Sequence, residues 1–334
     1  MYKTFLKARV AALVLLALGA GLPGAANAQD KSMTLSLLLD LSTHALHAPY
    51  YLAQQKGWFK EAGLTVNMQD GKGSVNVITL VGGGQFDIGV ASVGPMAIAA
   101  SKGVPVKDVS SILRINQIGV LFNKGAGYKK PQDFKGKELI YTAGSQEAPL
   151  IDGFFADAGM KRSDVRLLSV DMTAKVSTFL SGKGDALIAP VPYMLPVAAG
   201  RRDVDFLRFN DFGMPMLDWG IVASDDTIKN KPAALKAFNQ VVARAFAYIL
   251  DNHYDEAVDA IIAQRPDAKL SRAVTLAMLK AYIPYLTDAN TKGKPIGYIS
   301  AQDWVDTVAT LKKAKLLPAD AKPTDFYTTA FMPQ

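Results

Sequence analysis

The chain of 334 residues has no cysteine and only three histidines and three tryptophans. Without cysteine there can be no disulfide, thiolate nucleophile, sulfur-ligated metal or lipid-bearing cysteine. A chain of this length buries enough apolar surface to be stable without disulfides. No run of basic residues is long enough to form a nucleic-acid-binding arm, so no nucleic-acid partner is expected. Beyond the N-terminus no segment has about 18 uninterrupted apolar residues, so no further membrane span is expected. There is no Gly-x-Ser-x-Gly elbow, no His-Glu-x-x-His and no phosphate loop ending in Gly-Lys-Ser/Thr.

What is present begins at the N-terminus. Lys3, Lys7 and Arg9 precede an apolar run from Val10 to about Leu22, followed by Ala26-Asn27-Ala28. A basic start, a short apolar core and small residues at −3 and −1 read as a secretion signal cleaved after Ala28. Residues 1–28 are therefore expected to be removed, and the mature chain to begin at Gln29. Their loss lowers the formal charge from +7 by three, to +4, a mild surface property that helps an anionic solute only weakly.

The mature length suggests two domains. Short apolar runs alternate with helical stretches, the pattern of an α/β protein. Strands are expected at Met33–Leu39, Leu64–Met68, Phe86–Ala91 and Val109–Ile115. A second block has strands at Glu138–Tyr141, Val165–Ser169, Asp185–Ala189 and Asp205–Arg208. Pro49–Ala62 and Glu147–Ala158 each read as one helix. From Pro232 onward the periodicity is almost wholly helical, and this end is expected to pack back on the first block. Two chain crossings follow, near Gly119–Leu121 and Trp219–Val222, and two crossings between α/β lobes describe a hinge with a ligand cleft. The expected lobes are 29–118 with 222–334, and 119–221. Ligands in open α/β sheets sit beyond the carboxyl ends of strands, so the residues just after each strand are the site candidates.

The opening Asp40-Leu-Ser-Thr-His-Ala-Leu-His-Ala-Pro-Tyr-Tyr-Leu-Ala53, then Lys56-Gly-Trp-Phe59 and Gly63-Leu-Thr-Val66, resembles the NMT1/THI5-like family. Gly84-Gln-Phe-Asp87, Gly103-Val-Pro-Val-Lys107, Pro131-Gln-Asp-Phe-Lys-Gly-Lys137 and Gly182-Lys-Gly-Asp-Ala186 follow in the family's order. The resemblance covers nearly the whole mature chain. It implies a type II periplasmic-binding fold of two α/β lobes joined by a two-strand hinge, closing on a small-molecule solute. The family includes binders of thiamine-pyrimidine precursors and is related to sulfonate, taurine and nitrate binders. Its pyrimidine binders carry Asp-Trp-x-Pro-Asn-x-x-His here. Asp40 and His47 match the ends of that pattern, and Tyr51 matches a family tyrosine. Leu41 stands where the Trp would be, and His44 where the Asn would be.

The candidate ligand residues each have a plain structural alternative. His44 and His47 either meet the solute or pack and cap a helix; as two imidazoles without a clustered carboxylate they make a poor metal site. No metal or cofactor is expected. Ser92 offers a hydroxyl at a helix start, for a solute acceptor or as an N-cap. Ser145 and Glu147 occupy the equivalent loop of the second lobe, where Glu147 either accepts from an amine or complements a helix dipole. Tyr193 and Trp219 suit the walls of a flat solute or the interdomain core. Asn116 and Asp218 provide polar edge contacts or hinge hydrogen bonds. Arg114 balances an acidic group or ends a strand in solvent.

The resulting reading is a periplasmic, monomeric, non-enzymatic solute-binding protein serving an ABC permease and its ATPase. The solute is expected to be a flat heteroaromatic (pyrimidine-like) or an aromatic acid. The alternatives are a sulfonate-like or nitrate-like anion, or a sensory role in which a receptor replaces the permease. The family's thiamine-pyrimidine synthase branch uses a cysteine-rich iron motif that is absent here.

Overall fold

A computed structural model describes residues 33–334; the expected signal segment and its cleavage point lie outside them. Ten strands form two five-stranded sheets. The first contains β1 (Met33–Leu38), β2 (Leu64–Gln69), β3 (Ile88–Ser92), β4 (Val106–Ser111) and β10 (Trp219–Ser224), in the order β2-β1-β3-β10-β4. The second contains β5 (Ile118–Asn123), β6 (Glu138–Tyr141), β7 (Arg166–Ser169), β8 (Ala186–Pro190) and β9 (Val204–Arg208), in the order β7-β6-β8-β5-β9. The two orders are the same pattern. Each sheet is parallel through three strands and receives one antiparallel strand, β10 or β5, between its last two.

Side chains alternate across each sheet, as a period of two demands. Leu37, Val90 and Ile221 face one core, shared with the helices α1 (Ala48–Gln55), α2 (Trp58–Glu61), α9 (Pro232–Leu250), α10 (Tyr254–Gln264) and α11 (Arg272–Tyr282). Leu38, Ala91 and Val222 face a second core, shared with α3 (Ser74–Gly82), α4 (Val93–Ala100), α5 (Ile151–Asp157) and α12 (Ala301–Lys313). That core continues into the second sheet through Val120, Leu139 and Ile188. Leu121, Ile140 and Leu187 face a third core with α6 (Met172–Leu180) and α7 (Val191–Ala198). The short α8 (Asp225–Asn230) follows β10. Burial on both faces explains why the strands read as continuous apolar runs.

Two sequence expectations are corrected, and a third is made finer: Gly119–Leu121 and Trp219–Val222, near which the crossings were expected, lie inside β5 and β10. Both segments are apolar and buried on two faces, and the chain crosses just before each, along residues 112–117 and 209–218. The two crossings meet, with the Asp218 N–H donating to Leu113 O at 3.0 Å and the Leu113 N–H donating to Trp219 O at 2.9 Å. The helix expected over Pro49–Ala62 is broken at Gly57, whose φ of 74° ends α1 and starts α2. The helix expected from Glu147 begins as a 3-10 turn, Ala148–Leu150, ahead of α5.

The helical C-terminal end packs on the first sheet, as expected, through α9 and α10. The helix α12 also reaches the second block: the Leu217 N–H donates to Thr307 Oγ1 at 3.0 Å.

Candidate functional site

β1 delivers the chain into the loop that carries Asp40, and the Asp40 carbonyl accepts the N–H of Gly73 at 2.6 Å. A 3-10 turn, Ala45–His47, follows. The main-chain N–H of His44 donates to His47 Nδ1 at 3.2 Å, and that of Leu46 to His44 Nδ1 at 3.4 Å. With its Nδ1 accepting, the His47 ring carries its proton on Nε2. His47 donates it to Asp40 Oδ1 at 2.7 Å, while His44 Nε2 lies 3.4 Å from the same oxygen without a hydrogen bond.

All three side chains are buried. Burial pushes the His47 pKa down to about 4, with repulsion from His44 adding and Asp40 opposing, so the ring is neutral near pH 7. Burial pushes the Asp40 carboxyl up, but the nearby His44 ring and the hydrogen bond from His47 outweigh it and hold the group below its ordinary value.

A carboxylate thus joins the two imidazoles, contrary to the sequence expectation, with the ligand-capable atoms within 4.8 Å of one another. The arrangement still does not fit a metal. A ligating Nε2 must be unprotonated, with the other ring nitrogen donating to a second shell. Here both Nδ1 atoms accept main-chain N–H groups instead.

Aromatic rings surround His44. Its centroid lies 5.5 Å from Tyr193, edge to face, 5.5 Å from Trp219 and 6.5 Å from Tyr282. His47 stacks on Trp219 at 6.2 Å with 9° between the planes. Tyr193 belongs to α7 of the second block, whereas His44, Trp219 and Tyr282 belong with the first sheet. The two sheets therefore meet around this imidazole.

The loop after β6 forms the opposite wall. The Trp219 Nε1–H donates to Gln146 Oε1 at 2.8 Å. Glu147 is buried and paired with the equally buried Lys175 of α6. A cavity of about 240 Å³ remains beside this pair, lined by Leu41 and Ser42 from one side and by Lys175, Val176, Pro190 and Tyr193 from the other.

The other candidates are distributed as follows. Ser92 is the N-cap residue of α4, without a side-chain cap bond, and its N–H donates to Ser74 Oγ at 3.0 Å. Asp218 sits where the crossings meet, and its Oδ2 accepts the Gln117 N–H at 3.0 Å. Its Oδ1 makes no hydrogen bond; the Ser92 side chain acts on its pKa without meeting hydrogen-bond geometry. Burial raises this carboxyl to about 7, against the lowering effect of Gln117 and Ser92.

Four candidates are engaged elsewhere. Asn116 uses both ends of its amide on the crossing, donating to Met214 O at 3.3 Å and accepting from the Ile118 N–H at 3.0 Å. Ser145 donates to Thr142 O at 2.6 Å. The Tyr51 hydroxyl lies 3.1 Å from Thr43 Oγ1 and accepts from Arg265 at 2.9 Å, in a cluster with Asp70. Arg114 is buried, not solvated, bonded to the Tyr298 carbonyl and 3.6 Å from Asp303.

The charges discriminate between solute classes. Among the described residues the buried cations are Arg114 and Lys175, each facing a carboxylate. The buried acids number five: Asp40, Asp108, Glu147, Asp218 and Asp303. The one charged side chain lining the cavity, Lys175, is already paired with the buried Glu147. An anion entering there would bury a charge that lacks a free counter-charge, so the site disfavours it.

Sequence reasoning missed Gln117, Gln146, Lys175 and Tyr282. Lys175 lies 28 residues from Glu147, and Tyr282 ends a C-terminal helix. No local pattern marks either; the one available hint was a lysine on an otherwise apolar turn of α6.

The profile described as NMT1/THI5 like matches residues 44–257. The chain is 23% identical over 283 residues to a formylaminopyrimidine-binding protein of Halalkalibacterium halodurans, covering 83% of this chain and 84% of that one. It is 27% identical over 229 residues to the 4-amino-5-hydroxymethyl-2-methylpyrimidine phosphate synthase THI13 of Saccharomyces cerevisiae, covering 65% and 67%. The fold is similar to that of the alkanesulfonate-binding protein SsuA from Xanthomonas axonopodis pv. citri, with a TM-score of 0.68 at 16% identity over 88% of this chain and 98% of that one. With one profile spanning more than half of its length, the chain belongs to the NMT1/THI5-like family.

Proposed function

We propose that this protein is the exported solute-binding component of an ABC importer. It takes a small, neutral, flat heteroaromatic solute bearing amino groups. The single observation that carries the solute class is that the cavity's one charged side chain, Lys175, is already balanced by the buried Glu147, which leaves no free cation for an anionic solute. An uncharged ring bearing an amino group needs no counter-charge, and its polar atoms suit the hydroxyls of Ser42 and Thr173. Tyr193 on the cavity wall supplies a face for a planar ring; stacking contributes ~0.5–1.5 kcal/mol beyond area burial. The cavity, about 240 Å³, falls below the ~300–1,000 Å³ of drug-sized sites, which fits a single ring with a short substituent. The pyrimidine named in the Halalkalibacterium halodurans relative belongs to this chemical class. A sulfonate, the class bound by the structural neighbour SsuA, lacks a counter-charge here.

The mechanism follows from the two crossings. One lobe carries the first sheet and the other the second, joined along the two crossings where Asp218 and Leu113 pair. An open form admits solute between them, and contacts from both lobes favour the closed form by the solute's differential affinity for it. A monomer in the periplasm then presents its closed lobes to the permease, whose ATPase drives release. Binding, not catalysis, is the role: the chain has no thiol, and the His47 ring is committed to Asp40 and to the His44 main chain.

Isothermal titration of the mature protein with 4-aminopyrimidine, methanesulfonate, nitrate and benzoate tests the reading. Binding of the aminopyrimidine alone is the expected result. Binding of either inorganic-type anion, with none of the aminopyrimidine, would overturn it. Native mass spectrometry of the purified protein provides an independent check through the mass of any co-purified solute.

A further inference from the structure

Lys175 is the one charged side chain on the cavity wall. It is buried at 5% exposure, and Glu147 is its one hydrogen-bond partner. An ammonium has three N–H donors, and a buried donor left without an acceptor is costly. Two donors of Lys175 therefore remain for whatever enters the space in front of it. The adjoining wall is apolar apart from Ser42, Thr173 and the Tyr193 hydroxyl, with Leu41, Val176 and Met194 among its lining. Charge limits what those donors can meet. Glu147 already balances the ammonium. A second carboxylate at Lys175 would add negative charge without a partner, whereas a carbonyl or amide oxygen would satisfy the donors and add none.

Resting on the proposed heteroaromatic solute, we infer that the solute carries a short substituent ending in a neutral hydrogen-bond acceptor, and that Lys175 is the specificity-determining residue that reads it. The ring sits against Tyr193, the substituent runs along Leu41 and Val176, and its oxygen accepts from Nζ. Glu147 acts as a positioning residue that holds Nζ in place.

The test compares two probes of similar size, 4-aminopyrimidine-5-carboxamide and 5-ethyl-4-aminopyrimidine, by isothermal titration. Wild-type protein is expected to bind the carboxamide about tenfold more tightly, the scale of one hydrogen bond to a charged donor. The double variant Glu147→Gln/Lys175→Met removes both charges while keeping side-chain length, so no ion is left buried alone. It is expected to lose the preference, binding the two probes with equal affinity. Equal wild-type affinity for the two probes, which needs no variant, overturns the Lys175 subsite and leaves the aminopyrimidine reading standing. A preference that survives in the double variant also overturns it. Failure of both probes to bind wild type overturns the solute class, and the subsite with it.

Discussion

The indole N–H of Trp219 donates to Oε1 of Gln146 at 2.8 Å, joining the first residue of β10 to the loop that follows β6 in the other sheet. The bond is buried, and it ties the aromatic wall of one lobe to the polar wall of the other. Trp219→Phe keeps a ring but removes the donor, leaving the Gln146 oxygen unpaired. The expected loss is about 1–3 kcal/mol of stability in the closed form. Thermal melting and titration with 4-aminopyrimidine should show a lower melting temperature and weaker binding together. Unchanged values in both would show that the bond does not hold the lobes.

Gly73 and Gly144 make a second contact between the lobes, and they are not equivalent. A Cβ on Gly73, where φ is 104°, would lie 2.5 Å from the Gly144 carbonyl oxygen, whereas a Cβ on Gly144 meets nothing within 4 Å. Gly73→Ala is therefore expected to fold but to close poorly, with aminopyrimidine affinity reduced tenfold or more, on the order of 1.4 kcal/mol. Gly144→Ala is expected to bind as wild type does. Small-angle scattering with and without ligand measures closure directly, and equal compaction of the two variants would refute the asymmetry.

Asp218 gives the protein a pH signature. Its carboxyl is raised by burial to about 7, so the folded state holds a proton that the unfolded chain releases near pH 4. Stability from this group is therefore fully present below about pH 4 and is lost as pH rises toward 7. His47, lowered by burial to about 4, acts in the opposite sense: its contribution is present above about pH 6.5 and is lost as pH falls through 4. Asp218→Asn removes only the first term. Relative to wild type, the variant's melting temperature should rise steadily between pH 5 and pH 8. A constant difference across that range would mean that Asp218 does not titrate as its burial implies.

The Asp40–His44–His47 cluster is expected to ignore zinc. Both Nδ1 atoms accept main-chain N–H groups, so metal ligation through Nε2 would require the rings to give up those bonds. Added zinc should leave the melting temperature of the mature protein unchanged, as should chelation with EDTA. A zinc-dependent increase that His44→Ala abolishes would refute this reading.

Much of the protein was legible from local sequence. The alternation of short apolar runs and helical stretches gives the α/β class, because strands buried on both faces have no polar side to interrupt them. The approach of Asp40 to His47 is within local reach, since a 3-10 turn, Ala45–His47, brings residues seven apart together. The order of the short motifs from Asp40 to Ala186 placed the chain in its family, and the positions of Tyr193, Asp218 and Trp219 beside strand ends and crossings were legible as well.

What only the tertiary structure decided is which polar groups are already engaged. Ser145, Asn116 and Tyr51 look available in sequence, but each bonds a local or distant partner. Glu147 looks like a helix-dipole residue until Lys175, 28 residues later, meets it. Pairings of this kind depend on how two sheets and their helices approach, and no periodicity encodes them. The sequence by itself determined the elements, their burial and the family; the packing of one lobe against the other decided the charge balance of the cleft. Burial is an average over many contacts that each element's own pattern records, whereas the charge of a site depends on a few distant side chains meeting within hydrogen-bond reach.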